Sequence, residues 1–256
     1  GSGANLRWLA RRLGGSQQWL VVDHDPALLQ CWPVRLGLTD PAAHGLPGSG
    51  RAYPPLHWQG PRHDAAIQRW RIDLATQLDA LPWQAARLVT ASALLDLVSA
   101  DWLDQLVARA VAARAALLFA LNVDGRHDWL PVDPADRAVA ALFAAHQRRD
   151  KGFGPALGPR AGRQLVRALQ AQGYRVRQAR SDWTLPAGGA DAAQAMQQAL
   201  IDGMASAACE QDPAASAMVR DWRRRRSALA VAAAPPGRLM VGHVDLLATP
   251  PPARQA

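Results

Sequence analysis

The feature that most constrains the fold is the close alternation of helix and strand patterns along the chain. A segment with apolar residues at helical spacing over 6–13 ends at a glycine pair and leads directly into the β-type run 19–22. Asp25 followed by Pro26 is typical of a helix N-cap and first helical position. Helix, strand and helix within thirty residues indicate the rhythm of a parallel α/β sheet.

The same rhythm continues to the end of the chain. Apolar patterns predict further strands at 66–73, 88–92, 116–121, 174–179 and 239–244, with helices over 101–114 and 134–149 and another ending at Gln172. The uninterrupted apolar run 116–121 is typical of a strand buried on both faces. We therefore predict an α/β fold, Rossmann-like and doubly wound, with a mostly parallel sheet.

This pattern predicts one domain over 1–256 with three irregular parts. Residues 33–64, rich in proline and glycine, are expected to form a long surface loop. Residues 187–236 contain two helical patterns, roughly 190–208 and 213–232, and are expected to form a helical insertion before the last strand, as a cap or a docking surface. The tail 249–256 is proline-rich and expected to fray.

Charge gives little guidance to function. The net charge is +8, yet only one of the 29 basic residues is lysine, which indicates compositional bias rather than selection for a polyanion. The arginines are dispersed except at Arg223–Arg226, which we expect to be a solvated helix face rather than a stripe that binds phosphates. Two cysteines, no charged-then-apolar leader and no apolar stretch of membrane length predict a reduced, cytoplasmic protein without a membrane span.

A candidate site follows from the strand ends. Asp23 and Asp73 each end a predicted strand, and ligands of open α/β sheets bind at the carboxyl edge of the strands. Gly3 precedes Asp23 by twenty residues, the usual offset between a glycine turn and an acid that accepts ribose hydroxyls. A nucleoside-bearing cofactor is predicted, although Asp23 could instead only cap a helix. Leu6 stands where a dinucleotide fingerprint requires glycine or alanine, which disfavours NAD.

Four segments together resemble the class I S-adenosylmethionine-dependent methyltransferases. They are the glycine segment 1–7, the acidic segment 22–26, the acid–apolar pair within 72–74 and the segment 90–96. The family pattern begins with a strand that ends in an acid before the glycines, whereas this sequence begins inside the glycine motif. We therefore expect a preceding strand that this sequence does not include.

The resemblance implies S-adenosyl-L-methionine as cofactor and assigns roles to nine residues. Backbone amides around Gly1 and Gly3 face the methionine end, and Asp23 holds the ribose. Asp73 accepts from the adenine amino group beside Leu74, and Ser92 and Ala93 line the floor under the sulfonium. Their neighbours Asn5 and His24 are expected to contact the cofactor as well.

The acceptor side is less well defined by the sequence. Asn122 and Asp124 are expected in a loop that follows a buried strand at the cofactor edge. His146 and Asp150 would share one helix face if the helix continued, so the carboxylate could orient the imidazole as a general base. Asp96 is a pocket wall or a base.

Arg149 either complements a helix C-terminus, which is the favoured interpretation, or binds an acidic group on the acceptor. Asp150 is expected to lie on the acceptor side as well. Histidine and carboxylate residues lack any metal-ligand spacing, so no metal is predicted. We predict methyl transfer to a small organic molecule. The alternatives are a nucleic-acid methyltransferase, disfavoured because no Asn/Asp-Pro-Pro-aromatic segment follows the fourth strand, and a non-catalytic binding module of the same fold. The sequence does not indicate an oligomeric state.

Overall fold

The computed structural model describes residues 1–38, 51–186, 191–231 and 237–252, which form helices and two β-sheets. The contacts separate into two compact units, Gly1–Leu81 and Pro82–Ala256. The α/β class predicted from the sequence is confirmed. A single domain over 1–256 stays a prediction, and each unit is described by itself below.

The first unit is a three-stranded sheet with helices. Its elements are α1 (Ala4–Leu13), β1 (Gly15–Asp23), α2 (Pro26–Gln30), α3 (Trp32–Arg35), β2 (Ala52–Gly60) and β3 (His63–Arg71). The strand order is β1-β3-β2, in which β1 pairs with β3 in parallel and β2 with β3 in antiparallel. The parallel pair brings the carboxyl ends of β1 and β3 to the same edge.

Helix α1 and the sheet bury a shared apolar core. Leu6 and Ala10, four residues apart and hence on one helix face, pack in a cluster with Trp32, Trp58 and Ile67. Gly14 ends the helix with a positive φ of 68°, a conformation that glycine adopts without strain. The helix stop predicted at this glycine pair is confirmed.

The predicted loop 33–64 is wrong over most of the part that the structure describes. Residues 32–35 are helical, 52–60 form β2 and β3 starts at His63, while 39–50 lie outside the described residues. Pro54 and Pro55 fall at a register shift between Tyr53 and Leu56. Strand β2 lies at the edge of the sheet and pairs only with β3. The missing N–H groups of its prolines therefore break no hydrogen bonds to a second neighbour, and a proline-rich segment can form a strand here.

The second unit holds a five-stranded sheet. Its elements are β4 (Leu88–Ser92), α4 (Ala100–Ala112), β5 (Ala116–Leu130), α5 (Asp136–Gln147), α6 (Ala161–Ala171), β6 (Arg175–Arg180), β7 (Trp183–Pro186), α7 (Asp191–Gln211), α8 (Ser216–Val231) and β8 (Arg238–Thr249). The order is β4-β5-β8-β6, and β7 also pairs with β8. The predicted strands and helices of this half are confirmed, except that β5 extends nine residues past Leu121.

The pairing is mixed rather than mostly parallel. Of the six strand pairs in the described residues, β1·β3 and β4·β5 are parallel, whereas β2·β3, β5·β8, β6·β8 and β7·β8 are antiparallel. Strand β8 runs opposite to all three of its neighbours, so the parallel arrangement ends at β5. The doubly wound form of the fold remains part of the proposal below.

The helical insertion before the last strand is confirmed for α7 and α8, while 187–190, 232–236 and the end of the tail, 253–256, lie outside the described residues. Both helices contribute to one core with α5 and β8: Val139, Ile201, Met204, Val219, Trp222 and Val241 are all buried there. The insertion is therefore packed into the second unit rather than laid on its surface. Within the described ranges, no helix combines the length and apolarity that a membrane crossing requires.

Three of the four arginines in the run 223–226 are exposed, as predicted, but all four pair with acids. Arg223 pairs with Asp202 and Arg224 with Asp221, while Arg225 donates to Asp133 from Nε at 2.5 Å. Arg226 is 2% exposed, pairs with Asp136 and lies 4.7 Å from the ring centroid of Trp129. The predicted solvated face therefore holds for Arg223, Arg224 and Arg225 and fails for Arg226, which pairs with an acid 90 residues away in the chain.

Candidate functional site

The carboxyl edge of β1 and β3 brings two predicted site residues together. Asp23 is the last residue of β1, and its backbone carbonyl accepts from the Ile72 amide at 2.9 Å. Asp73 follows directly after Ile72, so both acids lie at this edge. The sequence predicted this arrangement from the strand ends alone.

Asp23 has a half-satisfied carboxylate. Its side chain is 12% exposed; Oδ1 accepts from the Asp25 amide at 2.9 Å, and Oδ2 accepts from the Gly1 ammonium. A carboxylate offers about four lone-pair positions. Two acceptor positions on ionised Asp23 therefore remain for further donors.

The glycine turn stands at the N-terminus of α1. Gly3 is the N-cap with φ 84°, and a Cβ there would meet the Trp32 ring at 3.1 Å. Trp32 Nε1 donates to the Gly1 carbonyl at 2.9 Å and Arg7 donates to the Ser2 carbonyl at 2.8 Å, so the turn is fixed from two sides. Asn5 lies in the first turn of α1, half-buried. Only glycine combines this conformation with this close approach.

The other predicted residues of this edge are more open. Asp73 is exposed, and its Oδ1 accepts from the Ala75 amide at 2.9 Å. Leu74 is half-buried beside it. The His24 side chain is 80% exposed, with Nδ1 3.7 Å from Asp23 Oδ1. This edge thus presents two carboxylates, an exposed imidazole and a helix N-terminus, a set of groups suited to a polar, cationic or hydroxylated ligand.

In the second unit, Ser92 and Ala93 lie at the carboxyl end of β4. Both are exposed, and Ala93 has a positive φ of 52°, uncommon for a residue with a Cβ. Its amide donates to the Ala120 carbonyl at 3.1 Å. Backbone strain of this kind concentrates at functional sites. The position at a strand end and the strained backbone both favour a functional role for this turn.

Asp96 lies in the short 3₁₀ turn Leu95–Leu97, which follows that strained position. Burial raises the pKa of the Asp96 carboxyl, while a backbone hydrogen bond and the charge of His243 act in the opposite direction. A carboxyl group with a raised pKa holds its proton to higher pH than an exposed one and is a stronger base when ionised. The role of Asp96 as a pocket wall or a base stays a prediction.

Asn122 and Asp124 are not in a loop, so that expectation is wrong. Strand β5 continues through both residues because β8 pairs with it, with register shifts that allow the bend. Buried Asn122 donates from Nδ2 to the carbonyls of Phe119 and Val244 at 2.9 and 2.8 Å. Among the described residues, its Oδ1 has no hydrogen-bond partner.

Asp124 forms part of a charged network. Its Oδ2 accepts from Arg126 Nε at 2.7 Å, and Arg126 donates from both terminal nitrogens to Asp182. Gly242 is required opposite this pair, because a Cβ there would clash with the Asp124 carboxylate. Asp124 is thereby held by an arginine, which leaves it less suited to contact an acceptor.

Sequence analysis missed His243. This residue of β8 is 4% exposed, its Nδ1 lies 3.1 Å from the Val241 carbonyl, and its ring packs on Trp183. His127, which belongs to the polar segment that the sequence placed on the acceptor side, is shielded from water, which lowers its pKa; the nearby Gly125 carbonyl acts to raise it and His243 to lower it. The polar residues within 122–128 were the available signal in the sequence for His127. Only the pairing of β5 with β8 brings His127 and His243 together.

The expected pair of His146 and Asp150 does not form. Helix α5 ends at Gln147, and Asp150 Oδ1 accepts from the amides of Gly152 and Gly154 at 2.7 and 3.0 Å. His146 Nε2 instead lies 3.2 Å from Glu210 Oε2, and Arg149 donates to Glu210 Oε1 at 2.8 Å. The helix stops one turn too early for the predicted geometry. Arg149 is thus paired with the end of α7.

Comparisons with known proteins do not identify a family for this chain. No family model and no curated protein matches the chain. Among solved structures, the cyclopropane synthase MmaA2 from Mycobacterium tuberculosis aligns over 92% of this chain and 79% of its own, at 11% identity and a TM-score of 0.32. Likeness at this level establishes neither a common fold nor a common activity.

Proposed function

We propose that this protein is an S-adenosylmethionine-dependent methyltransferase of the class I, doubly wound type, acting on a small organic molecule. The observation that carries the proposal is the carboxyl edge of β1 and β3, where Asp23 and Asp73 lie together. The resemblance of segments 1–7, 22–26, 72–74 and 90–96 to that family points in the same direction.

The residues of this edge fit the nucleoside part of such a cofactor. Asp23 keeps two acceptor positions, which matches the two hydroxyls of a ribose. Asp73 has an exposed carboxylate with one oxygen bound by the Ala75 amide, so the other can accept from an adenine amino group. Gly3 lets the backbone approach a ligand without a Cβ in the way. S-adenosylmethionine, when bound, supplies a methyl group on a positively charged sulfur.

On the acceptor side, Asp96 is a better candidate for the base than His146. Transfer of a methyl group depends on positioning, and a base is required only when the acceptor carries a proton at neutral pH. Asp96 follows the strained turn at the end of β4, and burial raises its pKa. His146 lies against the Glu210 carboxylate, which already occupies its Nε2.

A small acceptor is favoured over nucleic acid by the arginines. The only run of basic residues, Arg223–Arg226, is paired with acids, and its last member is buried. Neutralised guanidinium groups give little attraction for a phosphate backbone. The paired arginines therefore support a small acceptor over a nucleic acid.

The test is calorimetric titration of S-adenosylmethionine, S-adenosylhomocysteine and NAD into the protein with its natural N-terminus. We expect micromolar binding of the first two and none of NAD. Asp23→Ala should weaken that binding by at least about tenfold, equivalent to about 1.4 kcal/mol. Asp64→Ala, which removes an exposed acid from the opposite end of β3, is the matched control and should bind normally. Binding of NAD alone, or equal binding by both variants, would overturn the proposal.

Gly3→Ala provides a second test of the same edge. A side chain at φ 84° is strained by roughly 1–2 kcal/mol, and its Cβ would press on Trp32. We expect weaker cofactor binding together with a lower unfolding midpoint. Gly203→Ala, where a Cβ on α7 meets no atom within 4 Å and φ is not positive, is the control and should neither weaken binding nor lower the unfolding midpoint.

A further inference from the structure

The first unit has a second concave site, at the end of the sheet opposite to Asp23 and Asp73. An open pocket of about 350 Å³ is lined by Arg11, Trp58, Gln59, Gly60, Pro61, Arg62 and His63. Gly15 and His63, the first residues of the parallel strands β1 and β3, are paired in register at this end. The pocket therefore lies at the amino-terminal edge of the strands.

The wall of this pocket is aromatic. The rings of Trp58 and His63 lie against each other with centroids 4.3 Å apart. His63 folds back over the hairpin turn, which is possible only because residue 60 is glycine; a Cβ on Gly60 would overlap the imidazole. Both rings are largely buried, with the remaining wall formed by Pro61 and the turn backbone. The lining is thus mostly apolar.

The rim of the pocket carries two positive charges. Arg11, on the last turn of α1, and Arg62, in the hairpin turn, are both exposed. Neither guanidinium forms an ion pair with an acid in the described part of the chain, and Arg11 lies 5.5 Å from the ring centroid of Trp58. These two cations are available to a ligand.

A third polar group stands in the wall without a partner. His63 is 6% exposed, and its Nε2 has no hydrogen-bond partner among the described residues. Buried polar atoms are almost always hydrogen-bonded, so an unpaired one needs an explanation. A bound anion would supply the missing acceptor for an Nε2 proton, with a small movement of the ring.

We propose that this pocket binds a planar aromatic anion, with the ring against the wall formed by Trp58 and Pro61 and the anionic group held by Arg11 and Arg62. Guanidinium groups bind carboxylates through paired N–H donors and also stack on aromatic faces. Because the lining is mostly apolar, a purely ionic ligand fits it less well than one that also has an aromatic ring. Because Arg11 and Arg62 have no acidic partner among the described residues, a neutral ligand fits it less well than an anion. The site is independent of the cofactor edge.

The experiment uses 1-naphthoate as the probe, titrated by calorimetry into the protein with and without saturating S-adenosylhomocysteine. We expect saturable binding that S-adenosylhomocysteine leaves unchanged. The neutral 1-naphthylmethanol and the ring-free acetate should each bind at least about tenfold more weakly, since each lacks one of the two recognised features. Displacement of the probe by S-adenosylhomocysteine, or binding of acetate as strong as that of naphthoate, would overturn the proposal.

Arginine variants locate the binding. Arg11→Ala and Arg62→Ala should each weaken naphthoate binding by about five- to tenfold, as expected for a lost charge-assisted hydrogen bond. Arg12→Ala is the matched control, because Arg12 neighbours Arg11 on α1 but stacks on Trp8, with 3.7 Å from its guanidinium carbon to the ring centroid. All three side chains are exposed, so the variants should fold, which far-ultraviolet circular dichroism checks. Equal losses in Arg11→Ala and Arg12→Ala would indicate attraction by net charge alone and refute the site.

Discussion

Asp23 in the first unit and Asp136 in the second have similarly buried side chains, 12% and 17% exposed, but opposite hydrogen-bond balances. Asp136 accepts four hydrogen bonds. Its Oδ1 accepts from Trp222 Nε1 at 2.8 Å and Arg226 Nε at 3.0 Å, and its Oδ2 accepts from the Asp133 amide at 2.8 Å and from Arg226 Nη2. Asp23 accepts two.

The difference separates a structural carboxylate from one suited to a ligand. A carboxylate has about four lone-pair positions, so Asp136 is saturated by the protein while Asp23 is half-filled. Burial does not distinguish the two, and neither does the presence of a positive partner. The number of carboxylate acceptor positions that the protein leaves without a hydrogen bond is therefore the better indicator of function. The following predictions test that rule.

The largest expected change in unfolding free energy concerns Asp136, whose acceptor positions are all occupied. Arg226→Ala leaves Asp136 with a buried charge and no cation, and loss of one partner from a buried pair costs about 3–5 kcal/mol of unfolding free energy. Arg224→Ala, on the same helix, removes a guanidinium that is 78% exposed and should change stability little. Urea unfolding of both variants measures the difference. Similar losses would mean that burial of the pair is not what matters.

Replacing each acid with its amide sharpens the comparison directly. Asp136→Asn places an N–H₂ group among donors and removes the charge that balances Arg226, so we expect a loss of several kcal/mol, of the order given for a broken buried pair. Asp23→Asn retains an oxygen for the Asp25 amide and should cost about 1 kcal/mol or less. Cofactor binding should respond in the reverse order. Thermal unfolding paired with calorimetric titration tests both halves of this expectation.

The sequence pointed to Asp23 as a candidate site residue but did not reveal Asp136 and its partner. Asp23 could be found because the position of a strand end follows from local periodicity and from the order of elements along the chain. Asp136 and Arg226 are 90 residues apart, and no local pattern brings them together. The arginine run was therefore interpreted from its own helix alone, and its partners were missed.

The same limit explains the other corrections. Residues 122–130 contain several polar side chains, and this composition favoured a loop. In the structure they continue strand β5, because Val123 pairs with His243, which is 120 residues away in the chain. Strand β2 contains Pro54 and Pro55, and only its edge position makes them acceptable. These two segments form strands because of a distant partner or an edge position, and both were mispredicted, whereas α1 and α4, with strong local periodicity, were predicted correctly.

A third carboxylate, Asp96, tests the rule through pH. Burial raises its pKa, so its contribution to stability is present below the unfolded pKa and is lost as pH rises through the folded pKa. Asp96→Asn mimics the protonated form and should therefore stabilise the protein at pH 7 by roughly 1 kcal/mol or less, with no gain near pH 3. Unfolding measured at both values checks the sign. An equal change at the two pH values would contradict the role of the charge.

The smallest effect is expected at Glu210, whose side chain is 64% exposed. Its hydrogen bond from His146 is the main cause that lowers its pKa, with the charges of His146 and Arg149 adding to it. The contribution of Glu210 is present above its unfolded pKa and is lost as pH falls through the folded value. Because the pair is solvated, Glu210→Gln should leave the thermal midpoint at pH 7 unchanged within error. The same variant, assayed for methyl transfer once an acceptor is known, separates the two candidate bases. A displaced pH profile would mean that His146 acts in the reaction, whereas an unchanged one leaves Asp96 as the base and the bridge from His146 to Glu210 as a surface contact between α5 and α7.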